Sequence, residues 1–156
     1  MIDSNPYLSL PNSLIYLGFR GFNQPEENLK LSSSLTHLLF GNKFNQPIEK
    51  LSLPDLLSVL HFGKSFNHRV EQLKLPPKLT EIRFGTEFNQ PVERLILPYT
   101  LVVIKFGFEF NHHIKELKLP PKLARIELHP NYNHLIDLVS DNPKNPNIEI
   151  HFYWSL

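Results

Sequence analysis

The side chains best suited to chemistry in this 156-residue chain are its eight histidines. His68, His112 and His134 fall at multiples of a 22-residue step, and His113 adjoins His112. A backbone that repeats with that step would stack His112 and His134 on adjacent turns, close enough to share a metal. The same place, however, is taken by Gln24, Gln46 and Gln90, so the position asks for a polar corner side chain rather than a ligand. With no cysteine and no paired carboxylate to complete a coordination set, neither a metal nor any other cofactor is expected. Reaction motifs are missing too. There is no phosphate-cradling glycine loop, no G-x-S-x-G elbow and no H-E-x-x-H. Aspartate is scarce at four, three of them near the ends. No catalytic residue is assigned, and a non-enzyme is expected.

Bulk properties narrow the classes further. A formal net charge of +1 argues against a polyanion binder, so no nucleic-acid partner is expected. No apolar run is long enough to span a bilayer, and Met1 to Leu10 has neither a basic start nor an apolar signal core. No membrane association is therefore expected. Zero cysteines fit a reducing compartment, and the expected location is cytoplasmic. One domain is expected from the length.

The elements that must position these side chains follow from the repeat. Phe-Asn stands at 22–23, 44–45, 66–67, 88–89 and 110–111, and Tyr132-Asn133 continues the series without slip. A fixed period of this length is the mark of a solenoid. Within each unit two apolar frames recur nine residues apart, Ile48-x-x-Leu51-x-Leu53 and Leu57-x-x-Leu60-x-Phe62 in the second. Each closing pair alternates with polar residues, as in a strand with one buried face. Pro54, Pro76, Pro98 and Pro120 end the first frame. Gly41, Gly63, Gly85 and Gly107 follow the second, where a turn with positive φ is expected. The predicted fold is all-β: a parallel two-sheet β-solenoid of about six 22-residue coils with little or no helix. One unit cannot bury its own apolar side, but stacked units bury one another's.

The single domain, 1–156, divides accordingly. Residues 1–21 make an incomplete first coil, starting at Leu8-Ser9-Leu10-Pro11 and one residue short at the corner before Phe22. Five full repeats span 22–131. Residues 132–156 form a degenerate sixth coil and C-terminal cap, in which Asp141 replaces an expected Leu and 141–147 is a turn-rich loop. Ile148 and Ile150 fall where Leu60 and Phe62 fall, so an unbroken 22-residue register is expected to the end.

The unit F-N-Q-P-[IV]-x-x-L-x-L-P-x-x-L-x-x-[LI]-x-F-G-x-x resembles the FNIP repeat, a short relative of the leucine-rich repeats, over about residues 8–136. That family belongs to social amoebae and to giant viruses of amoebae, and some members carry an N-terminal F-box that recruits a ubiquitin ligase. The resemblance implies a leucine-rich-repeat-like solenoid that binds other proteins, in host cytoplasm if the chain is viral. The first repeat lies so near Met1 that no F-box is expected, which leaves a ubiquitin-ligase substrate adaptor without its F-box as an alternative.

Ten of the 12 phenylalanines occupy two recurrent positions and read as core. These are Phe22, Phe44, Phe66, Phe88 and Phe110, and Phe19, Phe40, Phe62, Phe84 and Phe106. The column Asn23 to Asn133 reads as corner amides bonding from coil to coil. Rows of Glu27, Glu49, Glu71, Glu93 and Lys115, and of Lys30, Lys74 and Lys118, read as a solvated outer face. The outward positions of the second frame differ. One column carries Tyr16, His37, Val59, Glu81, Val103 and Arg125, the next Leu39, His61, Arg83, Lys105 and Glu127. Chemical variety inside a strict repeat points to a recognition surface for an unidentified protein partner. Weak self-association through an open solenoid end is the competing expectation.

Overall fold

The structure, a computed structural model, describes residues 10–25, 29–134 and 148–153. Seven strands form one parallel sheet in chain order. They are β1 (Tyr16–Gly18), β2 (His37–Leu39), β3 (Val59–His61), β4 (Glu81–Arg83), β5 (Val103–Lys105), β6 (Arg125–Leu128) and β7 (Glu149–Phe152). Leu38, Leu60, Ile82, Ile104 and Ile126 pair in succession, each 22 residues from the last. These middle residues point inward and are buried, while their neighbours point out, the two-residue alternation of a strand. Among the described residues there is no helix, and so none long and apolar enough to cross a membrane.

The expected second sheet is a correction. Among the described residues the first frame forms no strand. Leu51 N–H donates to the Ile48 carbonyl at 3.1 Å, and Leu73 and Leu95 repeat the bond to Val70 and Val92. The I-x-x-L spacing is thus a tight turn that returns both apolar ends to the core, not the approach to a strand. Two more turns complete each coil: Leu57 N–H bonds the Pro54 carbonyl at 3.0 Å, and Phe44 N–H bonds Gly41 at 3.0 Å. A coil is therefore one three-residue strand and three tight turns.

The links between coils change around the stack. Parallel strands sit about 4.8 Å apart. Stacked rings in the Phe40–Phe62–Phe84–Phe106 column are 5.4–5.8 Å apart, and those in the Phe44–Phe66–Phe88–Phe110 column 6.0–6.1 Å. Coil-to-coil backbone bonds continue past the strand to the residue before the second ring column, where Ser65, Glu87 and Glu109 N–H donate to the Asn42, Lys64 and Thr86 carbonyls at 2.9–3.1 Å. Beyond that column asparagine makes the link. Asn45 N–H donates to Asn23 Oδ1 at 2.9 Å, and Asn67, Asn89, Asn111 and Asn133 repeat the bond to the preceding amide at 2.9–3.0 Å. Nine of the ten ladder phenylalanines are buried, and Phe22 in the first coil is partly so.

The glycine column is a second correction. None of these residues has positive φ. A Cβ on Gly63, Gly85 or Gly107 would instead overlap the carbonyl of the preceding glycine, Gly41, Gly63 and Gly85 respectively. Glycine is needed because adjacent coils nest backbone against backbone at this corner.

The ends deviate in two ways. Leu17 pairs with Leu38, one residue fewer than the period, which matches the short first corner. The unbroken register at the other end is not observed, because Ile150 pairs with Ile126 and Phe152 with Leu128. The last unit is 24 residues long, and since the two extra residues are an even number, the inward face is kept. Leu8, Ser9, Glu27, Asp141 and the 141–147 loop lie outside the described residues.

Two comparisons test the packing. Gly85→Ala should destabilise by about 1–3 kcal/mol through overpacking, whereas Gly21→Ala, whose Cβ meets nothing within 4 Å, should be neutral or slightly stabilising. Denaturant unfolding of the two single variants reads the difference. Phe66→Ala, at a fully buried ring, should lower stability by about 3–5 kcal/mol in the same assay.

Candidate interaction face

All eleven residues singled out for recognition lie on the outward positions of β1–β6. The parallel register brings them together as two adjoining columns across the sheet. Tyr16 is exposed and the other ten are half-buried. Tyr16 stacks on His37 with ring centroids 5.7 Å apart, and His37 Nδ1 meets the Thr36 hydroxyl at 2.9 Å. Leu39 and Val59 sit on neighbouring strands. Val103 is separate, flanked in its column by Glu81 and Arg125, so the apolar members do not form one patch.

Charge pairs organise the rest. His61 Nε2 and Arg83 Nε converge on one Glu81 oxygen, at 2.5 and 2.6 Å. Burial pushes the Glu81 carboxyl up, but the His61 hydrogen bond and the Arg83 charge outweigh it and hold the pKa below the usual value. Burial lowers the His61 pKa, and the Glu81 contact opposes that without overcoming it. His61 is thus a neutral imidazole donating its Nε2–H to a carboxylate. Further along, Glu127 meets Lys105 Nζ at 3.4 Å and Arg125 at 3.9 Å, and Glu149 on β7 meets Arg125 at 3.9 Å and His151 at 3.0 Å.

The structure adds residues that the repeat pattern did not single out. Tyr153, just past β7, donates its hydroxyl to the Phe106 carbonyl at 2.5 Å and lays its ring 3.5 Å from Lys105 Nζ. Burial, with Glu127 nearby, pushes its pKa up to about 12. It lies in the irregular C-terminal segment, where no period could flag it. His129 takes the next place in the glycine column and is buried, its ring 4.3 Å from that of Phe108. The break from Gly to His at that position was the available signal.

The corner histidines serve the stack. Nε2 of His68, His112 and His134 reaches the backbone carbonyls of Asn45, Asn89 and Asn111 at 3.1–3.2 Å. A carbonyl only accepts, so each Nε2 carries the proton. Gln46 and Gln90 do similar work, donating to Asn23 and Asn67 Oδ1 at 3.0 Å. His134 packs on His113, ring centroids 3.8 Å apart. Among the described residues no group of three or more His, Cys, Asp or Glu is placed to hold a metal. Of the charged rows, Glu49, Lys115, Lys30, Lys74 and Lys118 are exposed and Glu71 and Glu93 half-buried, while Glu27 is outside the described residues.

Comparison with known proteins agrees with the repeat and with the solenoid fold. The family model described as FNIP Repeat matches residues 22–65 and 66–109. A solved structure titled as that of CroV588, "a novel circular LRR protein structure", from a giant virus, is similar to the chain with a TM-score of 0.72. The two are 46% identical over 80% of this chain, which spans 18% of the length of CroV588. Among curated proteins, none matches.

The Glu81 cluster has a measurable signature. In an NMR titration the His61 imidazole should titrate below its ordinary 6.5, and Glu81→Gln should move it lower still by removing the interaction that opposes burial. The unfolded chain then takes up the proton first, so stability from this site falls as the pH drops below about 6.5. A midpoint at or above 6.5 would contradict the burial argument.

Proposed function

Since this chain belongs to the FNIP repeat family, we propose that it is a non-catalytic protein-interaction scaffold that binds through the outward face of its sheet. One observation carries the reading. Inward, glycine and asparagine columns repeat in type, whereas the two outward columns change at nearly every step within an unchanged register. Each outward position is free to vary without touching the fold, which is what a recognition surface requires. Binding spends little conformational entropy, because the strand backbone is already paired and the side chains around Glu81 and Glu127 are held by ion pairs. The partner in this reading is a protein, not a nucleic acid or a bilayer, met in the cytoplasm, or the host cytoplasm if the chain is viral.

A second reading has its own support. CroV588 is described as circular, and this chain resembles it over 80% of its own sequence while spanning 18% of the length of CroV588. Among the described residues β1 and β7 each pair on one side only. Copies stacking end to end through those strands would make a structural subunit.

The test is affinity capture from amoebal lysate with the native chain and with a variant carrying Val59→Ser, His61→Ser, Val103→Ser and Lys105→Ser. A partner held by the native chain should be lost from the variant at equal folded content. Partners retained equally refute the face. Light scattering on dilution through the micromolar range separates the second reading, since a strict monomer eliminates it.

A further inference from the structure

Beside the C-terminal ends of the strands, an open groove of about 410 Å³ runs along the stack over the Gly63, Gly85 and Gly107 column. Glycine leaves its floor bare backbone, so a ligand can approach closely. His61, Lys64, Arg83 and Lys105 line it, with Phe108 and Tyr153 at one end. None of the described lining residues is a carboxylate. Of the acids nearby, Glu81 is engaged by His61 and Arg83 Nε and Glu127 by Lys105 and Arg125, while Glu87 and Glu109, which follow Thr86 and Phe108, do not line the groove. Glu81 takes only the Nε of Arg83. Among the described residues the two terminal guanidinium nitrogens and the Lys64 ammonium have no partner. Phe108, in the column that holds Lys64 two coils earlier, keeps 39% of its surface exposed.

We propose that this groove holds an acidic, extended segment of the partner protein, with carboxylates on Arg83 and Lys64 and an apolar side chain against Phe108. The proposal rests on the interaction-face reading and names the chemistry of its partner. Arginine presents a planar fork that matches a carboxylate with two hydrogen bonds. A nucleic-acid strand fits less well. It carries a charge about every 3.4 Å and would have to run past Glu81 and Glu127 on a chain of net charge +1, whereas separated carboxylates need not. The glycine floor also suits a peptide backbone, which is narrow enough to lie along it.

Fluorescence anisotropy at low salt, with a labelled hexaglutamate peptide ending in leucine and the full chain, tests this. Saturable binding that weakens as salt is added is expected, because exposed charges are screened within about 10 Å at 0.1 M. The double variant Lys64→Glu, Arg83→Glu should bind at least about tenfold more weakly, and the milder Lys64→Gln, Arg83→Gln pair should also lose affinity. Lys122→Glu, at a lysine over the Tyr99 ring and outside the groove, should bind as the native chain does. The proposal is overturned by absence of saturation, by unaltered binding in both double variants, by equal binding of hexalysine, or by tighter binding of a single-stranded oligothymidylate. The two readings fail separately. A partner lost from the four-serine variant, with hexaglutamate binding untouched in the double variants, removes the groove and leaves the face. Weakened hexaglutamate binding, with partners retained by the four-serine variant, confirms the groove chemistry and removes the wider face.

Discussion

Everything in this molecule depends on the distance from one coil to the next. At the sheet that distance must suit a parallel hydrogen-bond ladder, near 4.8 Å. At the adjoining corner the backbones must come close enough that a Cβ on Gly85 would overlap the Gly63 carbonyl. Two phenylalanine columns must then stack at 5.4–6.1 Å. Neighbouring rings of the two columns, such as Phe62 and Phe66, sit 4.1–4.5 Å apart, so the corner is filled by a continuous block of stacked rings. One geometric step satisfies all of these together, and the asparagine column closes the interval where backbone pairing can no longer reach.

That constraint explains how much of the molecule was legible in its residues. Phe44, Gly63 and Asn67 recur because each meets its own copy one coil away, so period and parallel stacking could be read directly. The role of Asn67 could be read as well, since an amide in a column has its neighbour for a partner. What could not be read was the extent of strand pairing. Spacing of apolar residues does not say where backbone pairing between coils stops, so Ile48-x-x-Leu51 looked like the start of a strand when it is a turn. The glycines were assigned to the right corner for a different reason: they meet another coil's carbonyl, not a positive φ. The two-residue lengthening of the last unit lies in an aperiodic segment, where Ile148 and Ile150 matched the pattern by an even offset that pattern alone does not detect.

The recognition columns were legible for the opposite reason, as departures from repetition. Which of their members act together was not. His61, Glu81 and Arg83 belong to adjacent strands and join through one carboxylate oxygen, a convergence that depends on side-chain direction. Tyr153 was out of reach altogether, since it meets Phe106 from 47 residues away through a segment with no period. Scaffold residues announce themselves by sameness. Binding residues emerge only once the scaffold has set them side by side.

The 22-residue step also has a consequence for the gene. Because Leu38 to Ile126 sit in identical structural surroundings, a crossover between any two coding copies yields a longer or shorter stack whose glycine, phenylalanine and asparagine columns still align. Such an exchange alters only the order in which outward residues follow one another along the sheet. Unequal recombination, destructive in most folded domains, here reshuffles a surface while leaving its support intact.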